Sequence, residues 1–167
     1  WGVEPDIMTF AKGMGNGSPI GCTIARPEIA DAVAGLTFST FGGNPVTMAT
    51  TLATIEYMEA QDTPKNCAVQ GDRMADKLNE FSAEFPIIGE ARGLGLMQAL
   101  EIVQPGGIEP DPSRTVAFVD TCKDKGLLLG KGGLYGNVVR IAPHLNVSAE
   151  DMDIAMDIIA SALAEVS

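Results

Sequence analysis

The sequence predicts an α/β fold, with strand and helix patterns alternating in its first part and an α+β arrangement in its second. Three observations predict it. Short apolar runs are bounded by Gly-rich loops, as at "DIMTFA" and "KGMGNGSP". Helix-start signals recur, with Asn44 before Pro45 and Ser148 three residues before Asp151. Two long stretches, Cys67 to Phe85 and Met152 to Val166, carry apolar residues on one helical face.

The elements follow in order. Residues 6–11 read as a strand, followed by the Gly-rich loop, and residues 20–25 as a second strand. Pro27 stands at the first position of a helix continued by "EIADAVA". "GLTFSTFGGNP" is a loop with two turn-forming glycines, and the helix opened by Pro45 runs to about Ala60. A second unit begins near Thr63-Pro64, with a helix that Pro86 ends. "IIGEAR" and "LMQALEIV" read as two strands around a tight turn at Gly93-Leu94-Gly95, and "QPGGIEPDP" as a surface loop. Ser113 is placed to cap a helix bearing Val116, Val119 and Cys122, with Gly126 as its stop. "LLLG" and "VVRIAP" read as short strands, and the helix capped by Ser148 closes the chain. The domain boundary is expected near residue 60, giving 1–60 and 61–167.

The 167 residues are enough for a real core, with 46% hydrophobic and 20% charged residues. A formal net charge of −11 repels a phosphate backbone and an anionic membrane surface, so neither nucleic acid nor membrane is an expected partner. No apolar run approaches the length that crosses a bilayer. The chain opens at Trp1 directly into a strand pattern, without a signal-peptide pattern, and reads as the interior of a longer polypeptide. Cys22, Cys67 and Cys122 are widely spaced and His144 is the one histidine, so no metal site is expected. Reduced, mostly buried cysteines in a cytoplasm-like compartment are the expectation.

Four residues could carry chemistry. Lys12 ends a strand and opens a loop containing Gly13, Gly15 and Gly17. Functional groups gather beyond the carboxyl ends of strands, and a lysine there can form a Schiff base with a carbonyl. Most lysines that follow a strand are simply solvated, so position alone leaves both readings open. Ser39 and Thr40 offer hydroxyls beside two glycines and ahead of a helix N-terminus, a combination that suits a phosphate. The same residues also make ordinary turns. Arg140 follows two valines in a strand expected to be largely buried, where a guanidinium needs an anion. That anion is either an internal carboxylate or a substrate's. Arg92 reads as an ion pair holding a turn. His144 reads as a surface or hydrogen-bonding residue.

In this order, "PDIMTFAKGMGNGSPIG", "STFGGNP", "ARGLGLMQALEI" and "GLLLGKGGLYGNVVRIAPHL" resemble the class III aminotransferases, fold-type I enzymes that depend on pyridoxal 5'-phosphate. The wording is most like the alanine–glyoxylate type 2 and 3-aminoisobutyrate–pyruvate branch. The resemblance implies the C-terminal portion of that fold: the end of the large cofactor-binding α/β domain at 1–60, and the small α+β domain at 61–167. It implies that Lys12 carries the cofactor as a Schiff base. It implies that Thr40, with Ser39 beside it, hydrogen-bonds the cofactor phosphate from the neighbouring subunit of a homodimer, and that Arg140 grips a substrate carboxylate. An amino-acid donor and a keto-acid acceptor such as pyruvate or glyoxylate are the implied substrates, and a cytoplasmic or mitochondrial-matrix location the implied compartment. His144 departs from the family, where a second proline often follows Pro143. The family's aspartate, stacking aromatic and upstream phosphate loop match no residue here, so the 167-residue piece is expected to be inactive alone. Decarboxylases, aminomutases and racemases share the same lysine, and a non-catalytic α/β domain is the bland alternative.

Overall fold

The computed structural model describes residues 2–167, which divide into two units, one running to Gln61 and the other Asp62–Ser167. In the first unit β1 (Ile7–Ala11) and β2 (Gly21–Ala25) pair antiparallel, Phe10 opposite Cys22. The two strands read from the sequence thus form a hairpin across the Gly-rich loop. The connection over residues 12–20 is too short for the crossover that a parallel pair requires. The helix expected from Pro27 shrinks to the single turn α1 (Pro27–Ala30). Only Ile29 in it is even half-buried and Val33 beyond it is exposed, so no packed face extends a helix that is marginal by itself.

α2 (Pro45–Ala60) begins as its sequence requires. Asn44 Oδ1 accepts the Thr47 N–H at 3.0 Å, and Pro45 fills the first helical position, where no N–H is needed. α2 packs on the 3-10 turn Lys12–Gly15 and buries Thr47 and Thr51. Among the described residues, the buried apolar side chains all belong to the second unit, while Leu36, Phe38 and Phe41 of the first stand exposed.

The second unit is two-layered. α3 (Thr63–Glu84) leads to β3 (Ile88–Leu94) and β4 (Met97–Ile102); then come α4 (Pro112–Asp124), β5 (Gly130–Gly132), β6 (Val138–Ile141) and α5 (Ala149–Val166). The strands form one antiparallel sheet in the order β3-β4-β6-β5. Alternation splits its faces. Leu100, Ile102, Val139 and Ile141 point inward against Met74, Leu78 and Phe81 of α3, Phe118 and Cys122 of α4, and Met156 and Ile159 of α5. Each such side chain contributes about 1.5–3 kcal/mol when fully buried, which makes this unit the stable part. The turn after β3 approaches α3 backbone to backbone. A Cβ on Gly71 would lie 2.4 Å from the Gly95 carbonyl carbon, and Gly95 has φ +54°.

Two further expectations change. Asp111, not Ser113, caps α4: its Oδ1 accepts the Arg114 N–H at 2.9 Å and Pro112 takes the first helical position, leaving Ser113 inside the first turn. The "LLLG" strand shifts to Gly130–Gly132, because these residues pair with Val138–Arg140, while Leu127 and Leu129 pack against the core. Ser148 caps α5 as read, its Oγ accepting the Asp151 N–H at 3.0 Å.

Candidate active site

Lys12 closes β1 and opens the 3-10 turn with φ +54°, a left-handed backbone uncommon for a residue with a Cβ. Asn16 (φ +44°) and Gly17 (φ +101°) continue the pattern, and Asn16 N–H donates to Gly13 O at 3.0 Å. Left-handed non-glycine residues cost on the order of 1 kcal/mol or more and concentrate at functional sites. The Lys12 side chain is exposed and, among the described residues, has no ion-pair partner. No atom outside the adjoining residues comes within 4 Å of where a Cβ would stand on Gly13 or Gly17. The loop therefore presents one primary amine with open backbone around it.

Ser39 and Thr40 occupy a turn closed by Gly42 N–H to Ser39 O at 3.2 Å. Asn44 N–H and Nδ2–H both donate to Phe41 O, at 3.3 and 2.9 Å. The same Asn44 that caps α2 thus ties the turn to the helix N-terminus. Neither the Ser39 nor the Thr40 hydroxyl has a partner among the described residues, and both residues are exposed. Two free hydroxyls ahead of the start of a 16-residue helix are the chemistry that a phosphate group needs.

Arg140 lies in the second unit, and its expected burial is corrected. Val139 and Ile141 fill the core, so strand alternation turns Arg140 to the outer face of the sheet, where it is exposed. There it stands in a cross-strand row with Arg92 on β3, Ala99 on β4 and Gly130 on β5. The small residues at its flanks leave the guanidinium room; a Cβ on Gly130 would lie 3.5 Å from Nη2. An open cleft of about 470 Å³ runs over this face, lined by Arg92, Gly93, Gln98, Gly132 and Arg140 among others. Arg140 has no carboxylate partner among the described residues. Arg92, by contrast, pairs with Glu90 and with Glu101, the latter at 2.7 Å. His144 is exposed and its Nδ1 meets Asn146 Oδ1 at 2.9 Å. The three cysteines are free, but only Cys122 is buried, which corrects the expectation that most would be. Sequence reasoning missed Gly130 and Glu101. Only the register that sets them around Arg140 marks them, and no short motif encodes that register.

The aminotransferase class-III profile matches residues 1–163. The chain belongs to this family. A member from Arabidopsis thaliana, alanine–glyoxylate aminotransferase 2 homolog 2, mitochondrial, is 38% identical over 94% of this chain. A solved phospholyase from Arthrobacter in complex with phosphoethanolamine superposes with a TM-score of 0.95 over 98% of the chain at 30% identity. An amine transaminase from an uncultivated Pseudomonas species, solved in its pyridoxal-phosphate-bound form, gives 0.90 over the whole chain at 29% identity. The class III chain described here spans 34% of the length of the Arabidopsis protein and 40% of each of the two solved chains. The fold is thus the mixed α/β fold of class III enzymes over the portion present. No helix among the described residues is long and apolar enough to cross a membrane.

Proposed function

We propose that the complete protein is a pyridoxal-phosphate-dependent aminotransferase that moves an amino group from an amino acid, alpha or omega, to a keto acid such as pyruvate or glyoxylate. The observation that carries this is Lys12: an exposed primary amine on left-handed backbone at a strand end, in an open glycine loop, within a class III chain. The residues present fit the cofactor. Lys12 Nζ would hold its carbonyl carbon, and the free hydroxyls of Thr40 and Ser39 would donate to its phosphate. When bound, the cofactor supplies the electron sink for the carbanion that deprotonation leaves. With the cofactor and donor bound, Lys12, as a neutral amine, would take the proton from the donor carbon at Nζ and hand it on. Arg140 receives the substrate carboxylate in its planar fork, which fixes the reacting carbon's orientation.

Residues 1–60 are proposed as the end of the large cofactor-binding domain and 61–167 as the small domain. Exposed Leu36, Phe38 and Phe41 support the first assignment, since a self-sufficient domain buries such side chains. Thr40 is proposed to serve the neighbouring subunit of a homodimer. The compartment is proposed to be the cytoplasm or, as in the name of the Arabidopsis relative, the mitochondrion. The 167 residues alone are proposed to be inactive, because no segment of them matches the aspartate that class III enzymes set against the cofactor's ring nitrogen. The likeness to a phospholyase favours a second reading, different pyridoxal-phosphate chemistry on the same lysine. Dependence of turnover on a keto-acid acceptor separates the two.

The test is borohydride reduction of the complete protein with pyridoxal phosphate, followed by peptide mass mapping. The expected result is one pyridoxyl group, on Lys12. Label on another lysine, or on none, overturns the reading.

A further inference from the structure

Arg92 and Arg140 occupy one cross-strand row on the outer face of the sheet, with Ala99 between them, yet their surroundings differ. Arg92 donates to Glu90 and Glu101, whereas Arg140 has no carboxylate partner among the described residues. A carboxylate is nevertheless in range of Arg140. Glu101 opposes Val138 in the β4–β6 register, which makes it the diagonal neighbour of Arg140. Such neighbours lie about 7–8 Å apart, a gap that long side chains bridge.

Both oxygens of Glu101 are already engaged. Oε2 accepts from Arg92 Nη1 at 2.7 Å, and Oε1 from Asn137 Nδ2 at 3.4 Å. Asn137 is itself 1% exposed and anchored on the Ile102 carbonyl at 3.0 Å. The hydrogen bond from Arg92, with that from Asn137 behind it, holds the Glu101 carboxyl below the usual carboxylate range, so it is charged at any working pH. A charged carboxylate therefore occupies the position diagonal to Arg140 and is turned toward another partner, while Arg140 has none among the described residues.

We propose that Arg92 is a positioning residue for the carboxylate substrate: by holding Glu101 it keeps Arg140 unpaired. This rests on the reading of Arg140 as the carboxylate grip. A guanidinium that pairs internally must break that pair before it takes a substrate, and the apparent affinity falls with the fraction left free. The effect is confined to substrates that present a carboxylate to Arg140.

The experiment uses the complete protein and two acceptors, pyruvate and an aldehyde without a carboxylate, with thermal unfolding of every variant as the check on folding. Arg92→Ala is expected to raise KM for pyruvate about two- to fivefold, as a newly available surface ion pair would, and to leave KM for the aldehyde unchanged. Arg92→Ala combined with Glu101→Gln restores the pyruvate KM, because the competing charge is gone. Arg92→Lys stays near wild type, since an ammonium still holds Glu101. Arg92→Gln replaces the alanine variant should that one fail to fold, as it keeps the stem and removes the charge. An unchanged pyruvate KM in the single variant, an equal rise for both acceptors, or a double variant as impaired as the single overturns the proposal. Arg140→Ala tells the two readings apart. If it leaves the pyruvate KM unchanged, the grip itself is wrong; if it raises that KM while the Arg92 series fails, only the role of Arg92 falls.

Discussion

Replacing Gly71 by alanine sets two effects against each other. Gly71 lies inside α3, where alanine is favoured over glycine by about 1 kcal/mol. Against this, a Cβ there would stand 2.4, 2.5 and 2.7 Å from the carbonyl carbon, Cα and oxygen of Gly95. These are backbone atoms in a turn at φ +54°, so no side chain can rotate aside. Either α3 or the turn must move, and overpacking of this kind costs about 1–3 kcal/mol and sometimes more. Contacts this short with backbone atoms put the cost in the upper part of that range, about 2–3 kcal/mol, so the clash wins with an expected net loss of about 1–2 kcal/mol. With an m-value of about 2 kcal/mol/M, the urea midpoint falls by about 0.5–1 M. Far-UV circular dichroism of the purified protein measures it, with Ala68→Gly on the exposed face of the same helix as a reference expected to cost about 0.5–1 kcal/mol. A Gly71→Ala midpoint equal to or above wild type would refute the reasoning, because propensity would then have outweighed the contact.

Three shorter predictions stand beside it. Gly130→Ala should leave the keto-acid KM near wild type, since a Cβ meets Arg140 Nη2 and Nε at 3.5 and 3.6 Å, ordinary contact; Gly130→Val, whose branches reach further, should raise it about tenfold or more in steady-state kinetics. Asp111 is held below the usual carboxylate range first by the Arg114 N–H, so its contribution to stability is full above the unfolded value near 3.8 and is lost as pH falls through the lower folded value. Urea midpoints between about pH 6 and pH 3 should therefore drop less in Asp111→Asn than in wild type, and equal drops would count against the assignment. Burial pushes the Cys122 thiol up to about 11, so iodoacetamide at neutral pH should alkylate Cys22 and Cys67 in the native protein and reach Cys122 only after unfolding, as read by peptide mass.

Much of the helical framework was legible because its signals are short-range. Asn44-Pro45 and Ser148-Asp151 start helices through hydrogen bonds spanning three residues, and the apolar spacing of Met74, Leu78 and Phe81 marks the face that α3 buries. Lys12 was legible as well, since a lysine between an apolar run and a glycine loop is visible in sequence, and its left-handed backbone adds strain to that position. The cap of α4 was misread because two candidate side chains lie two residues apart, and Pro112 makes Asp111 the one outside the helix.

The environment of Arg140 lay beyond the sequence. Two valines before it imply burial, but only the pairing of β6 with β4 and β5 shows which side of the strand meets the helices. The same pairing brings Glu101 and Gly130 alongside it from distant parts of the chain and gives Arg92 the carboxylates that Arg140 lacks. The sequence by itself determined the helices, the amine-bearing loop and the family. The tertiary structure alone decided the hairpin, the exposed face of the sheet and which of Arg92 and Arg140 pairs with carboxylates among the described residues. A cap or an apolar stripe is set by neighbours within a few residues, whereas the partner of a charge is set by strand register between segments far apart, and register depends on the core they bury together.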